Sequence, residues 1–210
     1  HATGASRTDA GVHAYGNVAV FDTESTIPGD RFTFALNRFL PDSIVIQDSW
    51  EVSGDFHPRH CNTRKTYEYR ILNTTVPLPQ KRNFTWHVAG SIDIEKMKEA
   101  AAYIVGEHDF KSFCCVRTQA ESTVRTIYSL EVLQEGSEIL ICIKGNGFLY
   151  NMVRIITGTL IQVGKGRFKP EYVKQMLEAK DRTVAGQTAP PQGLTLVGIE
   201  YVDNDDARVV

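Results

Sequence analysis

The sequence is short of the residues that staple or metallate a small protein. Only four of its 210 residues are cysteine, Cys61, Cys114, Cys115 and Cys142, and no two are spaced C-x-x-C. Neighbouring Cys114 and Cys115 are poorly placed to bridge each other, so the expectation is reduced thiols in a cytosolic protein. Six histidines fall in no H-x-x-x-H or H-E-x-x-H pattern, which leaves a zinc site without support. No apolar run approaches the roughly 20 residues that span a bilayer. No secretory signal is present either, although the chain opens on His1 without an initiator Met. Charge of one sign is also lacking. A formal net charge of −2 argues against a protein that grips nucleic acid over its whole surface. Neither internal repeats nor low-complexity segments occur.

What is there is an ordinary globular composition, 42% hydrophobic and 23% charged, in a chain long enough for one large domain or two small ones. The charge is segregated. Between Phe56 and Tyr67 stand Arg59, Arg64 and Lys65, with His57 and His60 and no acid. Between Ile139 and Pro170 stand Lys144, Arg154, Lys165, Arg167 and Lys169, again with no acid, whereas Glu200, Asp203, Asp205 and Asp206 collect near the C-terminus. This suits a polyanion bound on one face, and equally a solvated surface.

The most informative stretch is Thr3 to Ala14, T-G-A-S-R-T-D-A-G-V-H-A. Gly4 and Gly11 bracket one carboxylate, Asp9, and Arg7 precedes it by two residues with a guanidinium suited to anions. Two readings are open: a presented carboxylate, or an Asx-type turn in which Asp9 bonds a backbone N–H. The apolar pattern from Val12 to Phe21 predicts that the loop leads into a buried strand.

Further along, Asp30 is placed to cap a short helix carrying Phe32, Leu36 and Phe39, which Pro41 ends. Ser43 to Val52 alternates as a strand would. Thr63 to Leu72 is a clearer strand, with Tyr67, Tyr69 and Ile71 on one face and Glu68 and Arg70 on the other. Asn73 to Asn83 reads as a connecting loop. Asp93 caps a helix that Gly106 stops, with Ile94, Met97, Ala101 and Ile104 on its apolar face. Phe110 and Phe113 are expected to be packed. Glu135-Gly136-Ser137 joins two strands, about 123–134 and 138–144, as a hairpin. Gly145 to Val163 reads as a turn feeding a helix whose stripe is Leu149, Val153, Ile156 and Leu160. Arg154 points away from that stripe, on the side of Tyr150, Asn151 and Thr157. Gly164-Lys165-Gly166-Arg167 is a glycine-capped end that is also compatible with phosphate contact. Pro170 opens a further helix, and a Pro-rich loop leads to a last strand.

Arg7 to Ala14, R-T-D-A-G-V-H-A, closely resembles the signature of the TruA family of tRNA pseudouridine synthases. F-H-P-R at 56–59, K-T-Y-E-Y-R-I at 65–71, H-D-F-K-S-F at 108–113, F-L-Y-N-M-V-R at 148–154 and A-P-P-Q-G-L-T-L at 189–196 resemble further stretches of it. The resemblance implies an α+β pseudouridine synthase fold, with helices on a mixed, largely antiparallel sheet and two related halves flanking a cleft. The halves are expected at 1–76 and 77–210, with an upstream strand-and-helix region of the family missing. It implies a cytoplasmic homodimer that binds tRNA and converts uridine to pseudouridine at positions 38, 39 and 40 of the anticodon stem-loop, without cofactor or metal. Asp9 would be the nucleophile, Arg154 the partner that keeps it charged, and Tyr67 the aromatic support for the base and a proton relay. Arg7, Arg59 and His57 would contact substrate. The alternatives are an RNA-binding protein of the same fold without the chemistry, and a glycosidic-bond hydrolase, which needs a second carboxyl group near Asp9.

Overall fold

The computed structural model describes residues 1–115 and 120–202; Asp203, Asp205 and Asp206, counted above among the C-terminal acids, lie outside them. Its centre is the strand that period-two alternation predicts, β4 (Thr63–Leu72), with Tyr67, Tyr69 and Ile71 buried and Glu68 and Arg70 half-buried on the opposite face. β4 pairs antiparallel with β8 (Glu138–Gly145) on one side and with β9 (Leu194–Tyr201) on the other. β7 (Val124–Glu135) and β6 (Gly106–Asp109) extend the sheet beyond β8. Beyond β9 lies β2 (His13–Ala14), parallel to it, and β5 (Trp86–His87) runs parallel to the end of β4. The fold is therefore α+β on a mixed, mostly antiparallel sheet of seven strands. β7 and β8 are joined at Gly136-Ser137, where Gly136 takes φ +59 as a tight hairpin turn requires.

Helices α2 (Ile94–Ala102), α3 (Met152–Gly164) and α4 (Tyr172–Ala179) share one hydrophobic core with the inward face of the sheet. The Asp93 carboxylate accepts from Lys96 N at 3.1 Å and caps α2, as its position before the apolar run predicts. Met97, Ala101 and Ile104 are buried, and Phe110 and Phe113 are packed. α3 is more deeply set than an amphipathic stripe implies. Thr157, Gly158 and Thr159 are buried along with Val153, Ile156 and Leu160, because residues 185–190 cover its other side. All four cysteines are free thiols, and no helix among the described residues is long and apolar enough to cross a membrane.

Three local expectations fail in the N-terminal third. Instead of one buried strand, 12–21 forms two short, largely exposed ones, β2 and β3 (Ala19–Phe21); β3 pairs with β1 (Ala2–Gly4) in a separate ribbon. Asn17 sits at the break, its Oδ1 accepting from Val18 N and its Nδ2 donating to Ser6 O, a local alternative to ladder bonds. Asp30 does not cap a helix: it lies in a 3-10 turn before α1 (Phe32–Asn37), and Phe39 is 87% exposed. Ser43 to Val52 is irregular, because the Asn37 side chain takes both backbone bonds of Ile46 that a neighbouring strand would have used.

The last loop is tied to the sheet by Tyr69, whose buried hydroxyl donates to Pro190 O at 2.7 Å. Burial pushes its pKa far above the usual tyrosine value, so it remains a neutral donor. Tyr69→Phe should cost about 1–2 kcal/mol by stranding that carbonyl, read as a lower urea midpoint at unchanged slope; an unaltered midpoint would mean the bond contributes nothing net.

Candidate active site

The Asp loop is shaped by its own backbone. Val12 N bonds Asp9 O at 3.0 Å to close a turn, and Gly11 occupies it at φ +83, a conformation that favours glycine. A side chain at Gly11 would also press on Pro191 at 3.2 Å, so the Pro-rich segment before β9 backs the loop directly. Arg59 Nε holds Gly4 O at 2.7 Å, and Lys65 Nζ reaches Ala5 O at 3.4 Å. The carboxylate projects from this frame, 26% exposed, and among the described residues no backbone N–H bonds it. This decides against the Asx-turn reading.

Asp9 Oδ2 meets Arg154 Nη1 at 2.9 Å, across 145 residues of sequence. Arg154 is 14% exposed, and its remaining bonds fix its plane: Nη1 also donates to Asn151 Oδ1 at 2.8 Å, and Nε donates to Ala189 O at 2.7 Å. Asn151 stands at the start of α3 at φ +63, a left-handed conformation that asparagine tolerates better than most residues. The guanidinium is thus held by a side-chain amide and a main-chain carbonyl before it touches the acid.

These groups line an open pocket of about 750 Å³ with Arg7, Arg59, Lys65, Tyr67, Phe148 and Tyr150. Tyr67 is only 6% exposed; Phe148 meets it edge-on at 5.1 Å between ring centroids, and its hydroxyl lies 3.3 Å from Ser6 Oγ. Burial, with a smaller push from Asp9, raises its pKa against the opposing Ser6 hydrogen bond, so the phenol stays protonated near neutral pH. Opposite Tyr67 the extra residue Val197 gives β9 a β-bulge, Thr66 facing Gly198 and Tyr67 facing Leu196, while β4 itself stays in register with β8.

Of the residues singled out from sequence, Asp9, Arg154, Tyr67, Arg7 and Arg59 converge on this pocket, whereas His57 does not line it. His57 stacks on His60 at 3.8 Å and its Nδ1 accepts from Arg59 N at 3.3 Å, supporting the segment that carries Arg59. Lys65, Asn151, Tyr150 and the Ala189 carbonyl were missed. The spacing of Lys65 two residues before Tyr67 on β4 was a signal available for it; a backbone carbonyl leaves none. Tyr150, 50% exposed, is the aromatic ring most available to a ligand here. Asp9 is the one acid among the described lining residues, so the second carboxylate of a glycoside hydrolase is not found there.

A family model described as tRNA pseudouridine synthase matches residues 100–202. The chain is 49% identical over 198 residues to tRNA pseudouridine synthase A of Thermoanaerobacter sp. (strain X514), covering 94% of this chain and 81% of that protein. It is also 49% identical, over the same shares of each chain, to tRNA pseudouridine synthase A 2 of Clostridium perfringens (strain 13 / Type A). The Ruminiclostridium cellulolyticum protein named tRNA pseudouridine synthase A is 50% identical over 200 residues, 95% of this chain and 82% of its own. At this identity over nearly the whole chain, it belongs to the tRNA pseudouridine synthase A (TruA) family.

Proposed function

We propose that the protein isomerises uridine to pseudouridine in tRNA, at positions 38, 39 and 40 of the anticodon stem-loop, with Asp9 as nucleophile. The observation that carries the reading is the Asp9–Arg154 pair at 2.9 Å at the edge of an open pocket. The reaction breaks the bond from C1′ of the ribose to N1 of the base and forms one from C1′ to C5. The proton leaves C5 and N1 gains one, so nothing is oxidised or reduced. An ionised carboxylate serves such an attack, and a fixed guanidinium favours its charged form.

A base inside a stem must leave the stack, at a cost of about a few kcal/mol. Exposed Arg7 beside Asp9 helps to extrude or hold it. Tyr67 borders the base and its neutral hydroxyl is available to pass a proton late in the reaction. Arg59 contacts the RNA, and His57 acts through the segment it supports. In this reading 1–76 brings the nucleophile and 77–210 the arginine, the working unit is a homodimer in the cytoplasm, and one tRNA lies across both subunits.

The test is tritium release from tRNA labelled with 5-tritiated uridine, since only departure of the C5 proton frees the label. Release is expected from tRNA bearing uridine at 38, 39 or 40 and not from the same tRNA with cytidine there. Tight binding with no release would make the protein a binder rather than an enzyme.

A further inference from the structure

Lys65 is a half-buried cation in the pocket to which no carboxylate among the described residues supplies a counter-charge. It stands two residues before Tyr67 on β4, hence on the same face, half-buried at the pocket wall. Its Nζ makes a long 3.4 Å contact with Ala5 O, and among the described residues no carboxylate pairs with it. Half-buried Lys144, on β8 of the same sheet, by contrast has Glu200 at 2.6 Å. Burial, and then the neighbouring Arg59 guanidinium, lower the Lys65 pKa below its ordinary value. A desolvated ammonium beside another cation is unfavourable for the folded protein alone.

The neighbouring groups do not relieve it. Arg59 commits Nε to Gly4 O and has no partner at its two terminal nitrogens among the described residues. Asp9, the one acid among the described lining residues, is already engaged by Arg154. The pocket therefore holds unpaired cations together with an acid whose charge is balanced, and what it lacks is an anion from outside. A uracil base is neutral at physiological pH, so the anionic part of a nucleotide entering this pocket is its phosphodiester.

We infer that Lys65 Nζ, together with the free edge of the Arg59 guanidinium, binds a backbone phosphate next to the target nucleotide and anchors the strand while its base enters toward Asp9. The inference rests on the tRNA reading above and adds a positioning residue to it. A lysine supplies a point charge and an arginine a planar fork, a combination suited to one tetrahedral anion.

The experiment compares the wild type, Lys65→Met and Lys65→Arg in tRNA binding across a salt series and in single-turnover tritium release at saturating tRNA. Lys65→Met should weaken binding about tenfold near physiological salt and flatten the plot of log affinity against log salt by about 0.7–0.9, one phosphate contact. Lys65→Arg should keep the wild-type slope, and both should release tritium at saturation within about threefold of wild type. Thermal unfolding should leave Lys65→Met at least as stable as the parent, because a buried cation has been removed. An unchanged salt slope in Lys65→Met, an equal loss in both variants, or a loss of rate at unchanged affinity would each overturn the assignment. Failure of the wild type to release tritium would instead sink the tRNA reading itself.

Discussion

Asp9→Asn should lower tritium release from labelled tRNA by about 10⁴-fold or more, the scale of losing a nucleophile, while tRNA affinity holds or improves. The amide has nearly the shape of the carboxylate, and Oδ1 still accepts from Arg154, so the pocket keeps its form. What disappears is the negative charge that attacks and that repels the incoming phosphates. Affinity is the informative control, because a change that merely disordered the loop would weaken binding as well. Turnover within tenfold of the parent would remove Asp9 from the chemistry and return it to the role of a loop residue held by Arg154.

Gly158→Ala should cost about 3 kcal/mol of stability, at the upper end for overpacking a rigid site. A methyl at Gly158 falls onto the Gln187 carbonyl oxygen, with Gln187 C at 2.9 Å, and both are main-chain atoms that cannot swing aside. The same segment is held from the other direction by Gly186 N donating to buried Thr159 Oγ1 at 2.9 Å. Two residues after Gln187 comes Ala189, whose carbonyl fixes Arg154. The substitution should therefore act on catalysis as well: at a temperature where the variant remains folded, single-turnover release should fall, because the guanidinium loses one of its two fixed supports. Urea unfolding gives the first quantity and tritium release the second. A stability change within about 0.5 kcal/mol, ordinary for a surface site, would mean that 186–189 moves freely over α3 and that α3 is not clamped as described.

Legibility in the sequence followed the kind of interaction involved. β4, the β7–β8 hairpin and the Asp93 cap announce themselves, because alternation, a glycine turn and a capping acid are local signals. The stretch 43–52 alternates as well, yet Asn37 captures its backbone from the flanking helix, and no pattern within the stretch reports that. At the site, Asp9 and Arg154 came from motif resemblance rather than periodicity, which placed Arg154 only on the side of α3 away from its stripe. Asn151 and Ala189 escaped because they act through a local amide and a carbonyl on a partner selected by the tertiary fold. Tyr67 was expected as a stacking surface; its ring is largely enclosed, and its exposed neighbour Tyr150 carried no signal beyond its side of the helix.

The position of β9 bears on when the enzyme becomes an enzyme during its synthesis. Its residues, 194–201, follow every other strand of the described residues yet lie in the sheet interior, between β2 and β4. Until they leave the ribosome, β4 has an open flank, β2 has nothing to align against, and Pro191 is not behind Gly11. The reaction centre, built from contacts distant along the chain, therefore assembles late, in a slow, non-local step.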